Sequence, residues 1–105
     1  MVQNRVRLDA RLSVRGDLRY TPAGTEAIDV QLDHRSTQTE AGIERQVACE
    51  IAAVALGPTA RQLAALAPGA HIRCTGFLAR RYRTGTSLAL HVNTFEMIDN
   101  ASEGN

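Results

Sequence analysis

The sequence predicts a small all-β protein: a five-stranded Greek-key barrel with one short helix between its third and fourth strands. Three observations predict it. Apolar and polar residues alternate over long stretches, as they do in half-buried strands. Only one segment, opened by Gly57-Pro58-Thr59 and closed by Pro68-Gly69, has helical spacing and punctuation. A chain of 105 residues, 44% hydrophobic and 22% charged, supplies one modest core and not two.

The first strand has Val6, Leu8, Ala10, Leu12 and Val14 inward and Arg7, Asp9, Arg11, Ser13 and Arg15 outward. Gly16-Asp17 and Thr21-Pro22-Ala23-Gly24 punctuate the connection to the second strand. That strand places Ile28, Val30 and Leu32 inward, with Asp29, Gln31 and Asp33 outward. His34 to Gly42 is polar and has the composition of a loop. Val47, Cys49 and Ile51 mark the third strand, which blurs into Ala52-Ala53-Val54-Ala55-Leu56, where a bulge or full burial fits. Thr59 is placed to cap the helix, and Leu63 and Leu66 share one of its faces. The fourth strand sets Ile72, Cys74 and Leu78 against Arg73, Thr75 and Phe77, and Gly76 marks a bend or bulge. After the turn Arg80 to Thr86, the fifth strand carries Leu88, Leu90 and Val92, then shifts phase to Phe95 and Met97. Three strands, a helix and two strands is the order of the OB-fold, whose barrel leaves few exposed sheet edges. The domain is expected over residues 1–99, with a disordered tail at 100–105.

A domain of this mass is expected to expose about 5,800 Å² when folded. No apolar run approaches the roughly 18 residues of a membrane helix, and the N-terminus has no apolar stretch for a signal peptide. The expectation is a cytoplasmic protein without membrane contact. Cys49 and Cys74 have no zinc spacing and make no disulfide framework; both read as reduced core thiols. His34, His71 and His91 pair with no nucleophile in a known motif, and no P-loop, GxGxxG, GxSxG or HExxH is present. No enzyme, cofactor or metal is expected.

Charge is segregated. Residues 1–50 hold seven Arg and eight acids, no acid lies between Glu50 and Glu96, and that interval holds Arg61, Arg73, Arg80, Arg81 and Arg83. All twelve positive side chains are Arg. Guanidinium groups stay charged, stack on flat rings and fork onto phosphates; a GC-rich coding bias would also produce them. Arg80, Arg81 and Arg83 flank Tyr82 in the turn joining the last two strands, one of the loops with which OB-folds grip oligonucleotides. Phosphate contacts by the arginines and base stacking on Tyr82 are the expected use; a merely solvated hairpin tip is the alternative. With four aromatic residues and no Trp, binding is expected to rest on charge and to fall steeply with salt. Phe77 and Phe95 are assigned to the core or to a subunit contact.

The stretch Leu32-Asp33-His34-Arg35-Ser36-Thr37-Gln38-Thr39-Glu40-Ala41-Gly42-Ile43-Glu44-Arg45-Gln46-Val47-Ala48-Cys49 resembles the pattern L-E-H-R-S-x-Q-x-E-A-G-x-x-R-Q-x-x-C of the primosomal replication protein N (PriB) family. Asn4-Arg5, Gly76-Phe77, Leu90-His91 and Ile98-Asp99 fall in the family order, so the resemblance spans about residues 4–99. It implies a homodimer of OB-folds, similar to single-stranded DNA-binding proteins, that binds single-stranded DNA without catalysis. It further implies a role in replication restart, stabilising the PriA helicase on DNA, with DnaT and single-stranded DNA-binding protein as further primosome partners. Arg81 and Arg83 match basic loop residues of the family, with Arg80 and Tyr82 beside them. Arg35 and Arg45 match the central motif and are assigned phosphate or helicase contacts, with ion pairs to Asp33, Glu40 or Glu44 as the alternative. Two aromatic DNA contacts of the family fall at Ile43 and Ala48, so both platforms are absent and weaker DNA binding is implied. The competing function is an OB-fold interaction module whose main partner is the helicase.

Overall fold

The computed structural model describes residues 2–99; the expected tail at 100–105 lies outside the described residues. The elements are β1 (Val6–Arg15), β2 (Arg19–Tyr20), β3 (Glu26–Glu40), β4 (Ile43–Leu56), α1 (Pro58–Ala64), β5 (His71–Arg80) and β6 (Leu88–Met97). Five strands run in the order β1-β5-β6-β4-β3, and β1 pairs back onto β3 to close the ring. The β4–β6 pairing is parallel and the others are antiparallel. This is the predicted OB-fold barrel. The two-residue β2, read as part of a turn in sequence, adds to β3 outside the ring.

The barrel fills with the residues the alternation set inward. Leu12, Ile28, Leu32, Ile72, Cys74 and Leu90 are buried, and Ala60 and Leu63 join them from α1. The helix starts with Pro58 in its first turn, where the missing N–H costs nothing. Gly57 occupies its N-cap at φ 67°, a backbone shape that favours glycine. Thr59 does not cap it; its hydroxyl instead donates to the Asn93 carbonyl at 2.8 Å and ties the helix to β6. Leu66 lies beyond the last helical turn and still packs on the core.

Bulges explain where the alternation misleads. The β1–β3 register shifts between Leu12 and Val14, so Val14, expected inward, is turned to solvent. On β5–β6, Thr75 pairs with Thr94 but Gly76 pairs with Val92, leaving Asn93 as the extra residue. This shift produces the expected phase change, so Val92 is buried and Phe95 packs on the core; Met97 stays exposed. Leu78 and Leu88, expected inward, are exposed near the 81–87 loop. The segment 52–56 shows neither bulge nor full burial: it pairs residue for residue with β3 and alternates in burial.

The largest correction is an arm. The stretch His34 to Gly42 is not a loop. β3 and β4 continue pairing to Glu40–Ile43, joined by Ala41 and Gly42 at φ 54° and 79°. Both φ values are positive, as a two-residue type I′ hairpin turn requires. Beyond Asp33 and Glu50 the two strands pair only with each other. Neither face of most of the arm is buried, so no apolar alternation betrays it. The Cα radius of gyration is 14.6 Å, against about 13 Å for a compact chain of this length. The exposed surface, 7277 Å², exceeds the expected value for the same reason in part.

Cys49 corrects another expectation: it sits exposed on the arm, while Cys74 is buried. Burial pushes the Cys74 thiol up to about 11, so little of it is thiolate at neutral pH. An aromatic disulfide reagent is expected to titrate one thiol rapidly at pH 8 and the second only on denaturation. Two fast thiols would contradict this packing.

Candidate nucleic-acid interface

Arg80 ends β5, and Arg81, Tyr82 and Arg83 enter the loop 81–87. The Arg81 amide donates to the Ser87 carbonyl at 2.8 Å and closes the loop neck. Gly85, at φ 95°, makes the reversal. The Arg81 guanidinium carbon lies 5.3 Å from the centre of the Tyr82 ring, a cation–π contact that leaves the ring largely exposed. No carboxylate among the described residues pairs with Arg80, Arg81 or Arg83. The loop thus holds together the four residues predicted there, with their charges uncommitted.

From this loop a shallow groove crosses the outer faces of β6, β4 and β3. Arg80 and Arg81 stand on one side, Arg19 of β2 on the other, and Asp29, Val54, Ala89 and His91 lie between them. An adjoining depression shares Arg81 and Asp29 and reaches Gln31 and Glu50. Arg19 donates to Asp29 at 3.0 Å and Gln31 to Glu50 at 2.7 Å. The groove is therefore cationic at both ends with Asp29 between them, and Glu50 adds a second carboxylate in the adjoining depression. Sequence reasoning missed Arg19 and His91. Arg19 was findable as the basic residue of the connection after the first strand, the region of the second gripping loop of an OB-fold.

Arg35 and Arg45 do not join the groove. Both lie on the arm in ion pairs, Arg35 3.9 Å from Asp33 and Arg45 2.7 Å from Glu40. Arg35 instead lines a polar cleft between the arm and the barrel with Arg7, His34 and Arg73. There Arg73 donates twice to Asp9, at 2.7 and 2.8 Å. Its hydrogen bonds hold the Asp9 carboxyl below the usual carboxylate range, against the opposing effect of burial. The folded pKa is depressed, so the stabilisation is present above the unfolded pKa, about 4, and is lost as pH falls through the folded value. Asp9→Asn is expected to cost at most about 1 kcal/mol near pH 7, and its melting curve should converge on that of the parent as the pH falls through the folded value.

His34 is placed for structure. His34 Nδ1 donates to the Asp9 carbonyl at 2.7 Å, which leaves Nε2 to accept from the Ser36 hydroxyl at 2.8 Å. His91 stacks on Phe77. Among the described residues no group of three His, Cys, Asp or Glu is arranged to hold a metal, and no helix is long and apolar enough to cross a membrane.

The chain matches a family model described as "another single-strand binding protein family" over residues 4–94. It is 34% identical over 96 residues to the replication restart protein PriB of Nitrosomonas europaea, covering 91% of this chain and 89% of that protein. The crystal structure of PriB from Ralstonia solanacearum superposes with a TM-score of 0.85 at 36% identity, covering 91% of this chain and 98% of the other. The single-stranded DNA-binding protein of Thermus aquaticus gives a TM-score of 0.75 at 25% identity, covering 95% of this chain and 52% of that one.

Proposed function

The chain belongs to the PriB group of replication restart proteins within the single-strand-binding family, and on that premise we propose that it is a non-enzymatic single-stranded DNA-binding accessory of the restart primosome. The observation that carries this reading is the loop 81–87, with Arg80, Arg81 and Arg83 free of acidic partners among the described residues and Tyr82 largely exposed beside them. Unpaired guanidinium groups have no intramolecular contact to give up before they meet phosphates, so their charge goes to backbone binding. The relatives' names, taken with the groove that starts at this loop, support DNA as the ligand.

In this reading the protein acts in the cytoplasm as a homodimer that steadies the PriA helicase on DNA, with DnaT and single-stranded DNA-binding protein as further partners. Asp9 and Arg11 are engaged within the chain by Arg73 and Asp33 and so are not open for pairs with a second copy. The dimer contact then rests on the exposed apolar side chains, among them Leu78, Leu88 and Met97.

The carboxylates Asp29 and Glu50 favour a second reading, in which DNA contact is weak and the helicase is the main partner. Helicase ATPase activity on forked DNA separates the two. In the first reading, stimulation falls when the loop arginines are replaced. In the second it survives their loss. Fluorescence anisotropy of a labelled oligo-dT tests DNA binding itself: a saturable rise at low salt is expected, and a flat titration would remove DNA from the function.

A further inference from the structure

Phe77 occupies an unusual place. It shares the outer face of β5 with Arg73 and Thr75 and is not among the apolar residues packed on the core. Directly opposite it on β6 is His91. The two rings lie parallel, with centroids 4.9 Å apart and planes 10° from each other. The stack exists because of the glycine before it. Gly76 lets the β5 backbone press against the His91 carbonyl, closer than any side chain would permit. The adjacent register shift fixes the facing of both rings.

His91 lines the groove between Arg19 on one side and Arg80 and Arg81 on the other. A flat aromatic surface between two cationic rims fits a flat, uncharged ring joined to anions on both sides. That is the chemistry of a nucleotide within a single strand. Arg19 stands paired with Asp29 at 3.0 Å and must exchange that carboxylate for a phosphate, whereas Arg80 and Arg81 have no carboxylate partner among the described residues.

We propose that His91, backed by the Phe77 ring stacked behind it, is a base-binding platform of the groove, seating one nucleobase of single-stranded DNA while Arg19, Arg80 and Arg81 hold the flanking phosphates. This rests on the reading that the chain binds single-stranded DNA. It assigns a stacking role to His91, which no aromatic count includes, and takes Phe77 from the core or subunit contact expected of it, in a protein whose loop offers only Tyr82.

The test is anisotropy with two labelled oligonucleotides of equal length, oligo-dT and the same strand carrying abasic residues. Wild-type protein is expected to prefer oligo-dT. His91→Ala is expected to weaken oligo-dT binding about 5- to 100-fold, to reduce the preference over the abasic strand to what Tyr82 supplies, and to leave the salt slope unchanged. Phe77→Leu keeps the apolar bulk while removing the ring, and it should act in the same direction. It supplies the test if His91→Ala fails to fold, as judged by circular dichroism. If wild type binds oligo-dT but the folded variants bind both strands as it does, the platform is overturned and the DNA reading stands. If wild type binds neither strand at low salt, the DNA reading falls and the platform with it.

Discussion

Gly76→Ala is expected to destabilise the barrel by about 3 kcal/mol or more, lowering the melting temperature by about 10 °C or more. A Cβ at this position would sit 1.8 Å from the His91 carbonyl oxygen, 2.8 Å from its carbon and 3.1 Å from the Val92 Cα. All three are backbone atoms, so no rotamer change relieves the clash. Relief requires β5 and β6 to part at a point where both belong to the closed ring, and Ile72, Cys74, Leu90 and Val92 pack just inside it. Gly85→Ala is the control. Its φ of 95° is costly for alanine, but nothing lies within 4 Å of the added methyl group. It should cost only about 1–2 kcal/mol. A Gly76→Ala protein melting within a degree or two of wild type would contradict the close approach of these strands.

Arg81→Ala/Arg83→Ala is expected to weaken oligo-dT binding by tenfold or more at low salt and to lower the steepness of the log–log salt plot by about 1.4, at about 0.7 per lost phosphate contact on a single strand. Both guanidinium groups are exposed and lack carboxylate partners among the described residues, so their removal subtracts binding charge without exposing a buried partner. Arg35→Ala/Arg45→Ala should change affinity by no more than about threefold. Those charges are already partly met by Asp33 and Glu40, and exposed pairs of this kind contribute little. Equal losses from the two double variants would contradict the separation of the arm from the groove. Melting temperatures of both should stay near that of wild type, because none of the four side chains is buried.

The barrel was legible because its core side chains keep to strict alternation: half-buried Leu8 and buried Ala10 and Leu12 on one strand, Ile28, Val30 and Leu32 on the next. Alternation reports burial of one face, and it misleads where a bulge turns the face or where there is no buried face at all. Val14 is the first case and the arm is the second. The arm is held by its backbone ladder and by an Ala41-Gly42 turn at positive φ, and the local composition of such a segment is that of a loop. Cys49 was placed in the core by residue type and by its alternation with Val47 and Ile51, whereas its position on the arm exposes it. The loop arginines were legible as a charge cluster in an acid-free interval. Arg19 and His91 were not, because each is an isolated residue far along the chain from that cluster. Only the long-range β4–β6 pairing brings β2, β6 and the loop to one groove.

If this protein holds single-stranded DNA mainly through the guanidinium groups around one groove, salt must compete directly with the strand. The decisive experiment is therefore the affinity of the wild-type protein for a labelled oligo-dT from low to near-physiological salt. Saturable binding is expected, its logarithm falling linearly with the logarithm of salt at a slope near −2 or steeper for three or more phosphate contacts. Binding that is absent at low salt, or that holds constant as salt rises, would contradict a charge-driven grip on the strand.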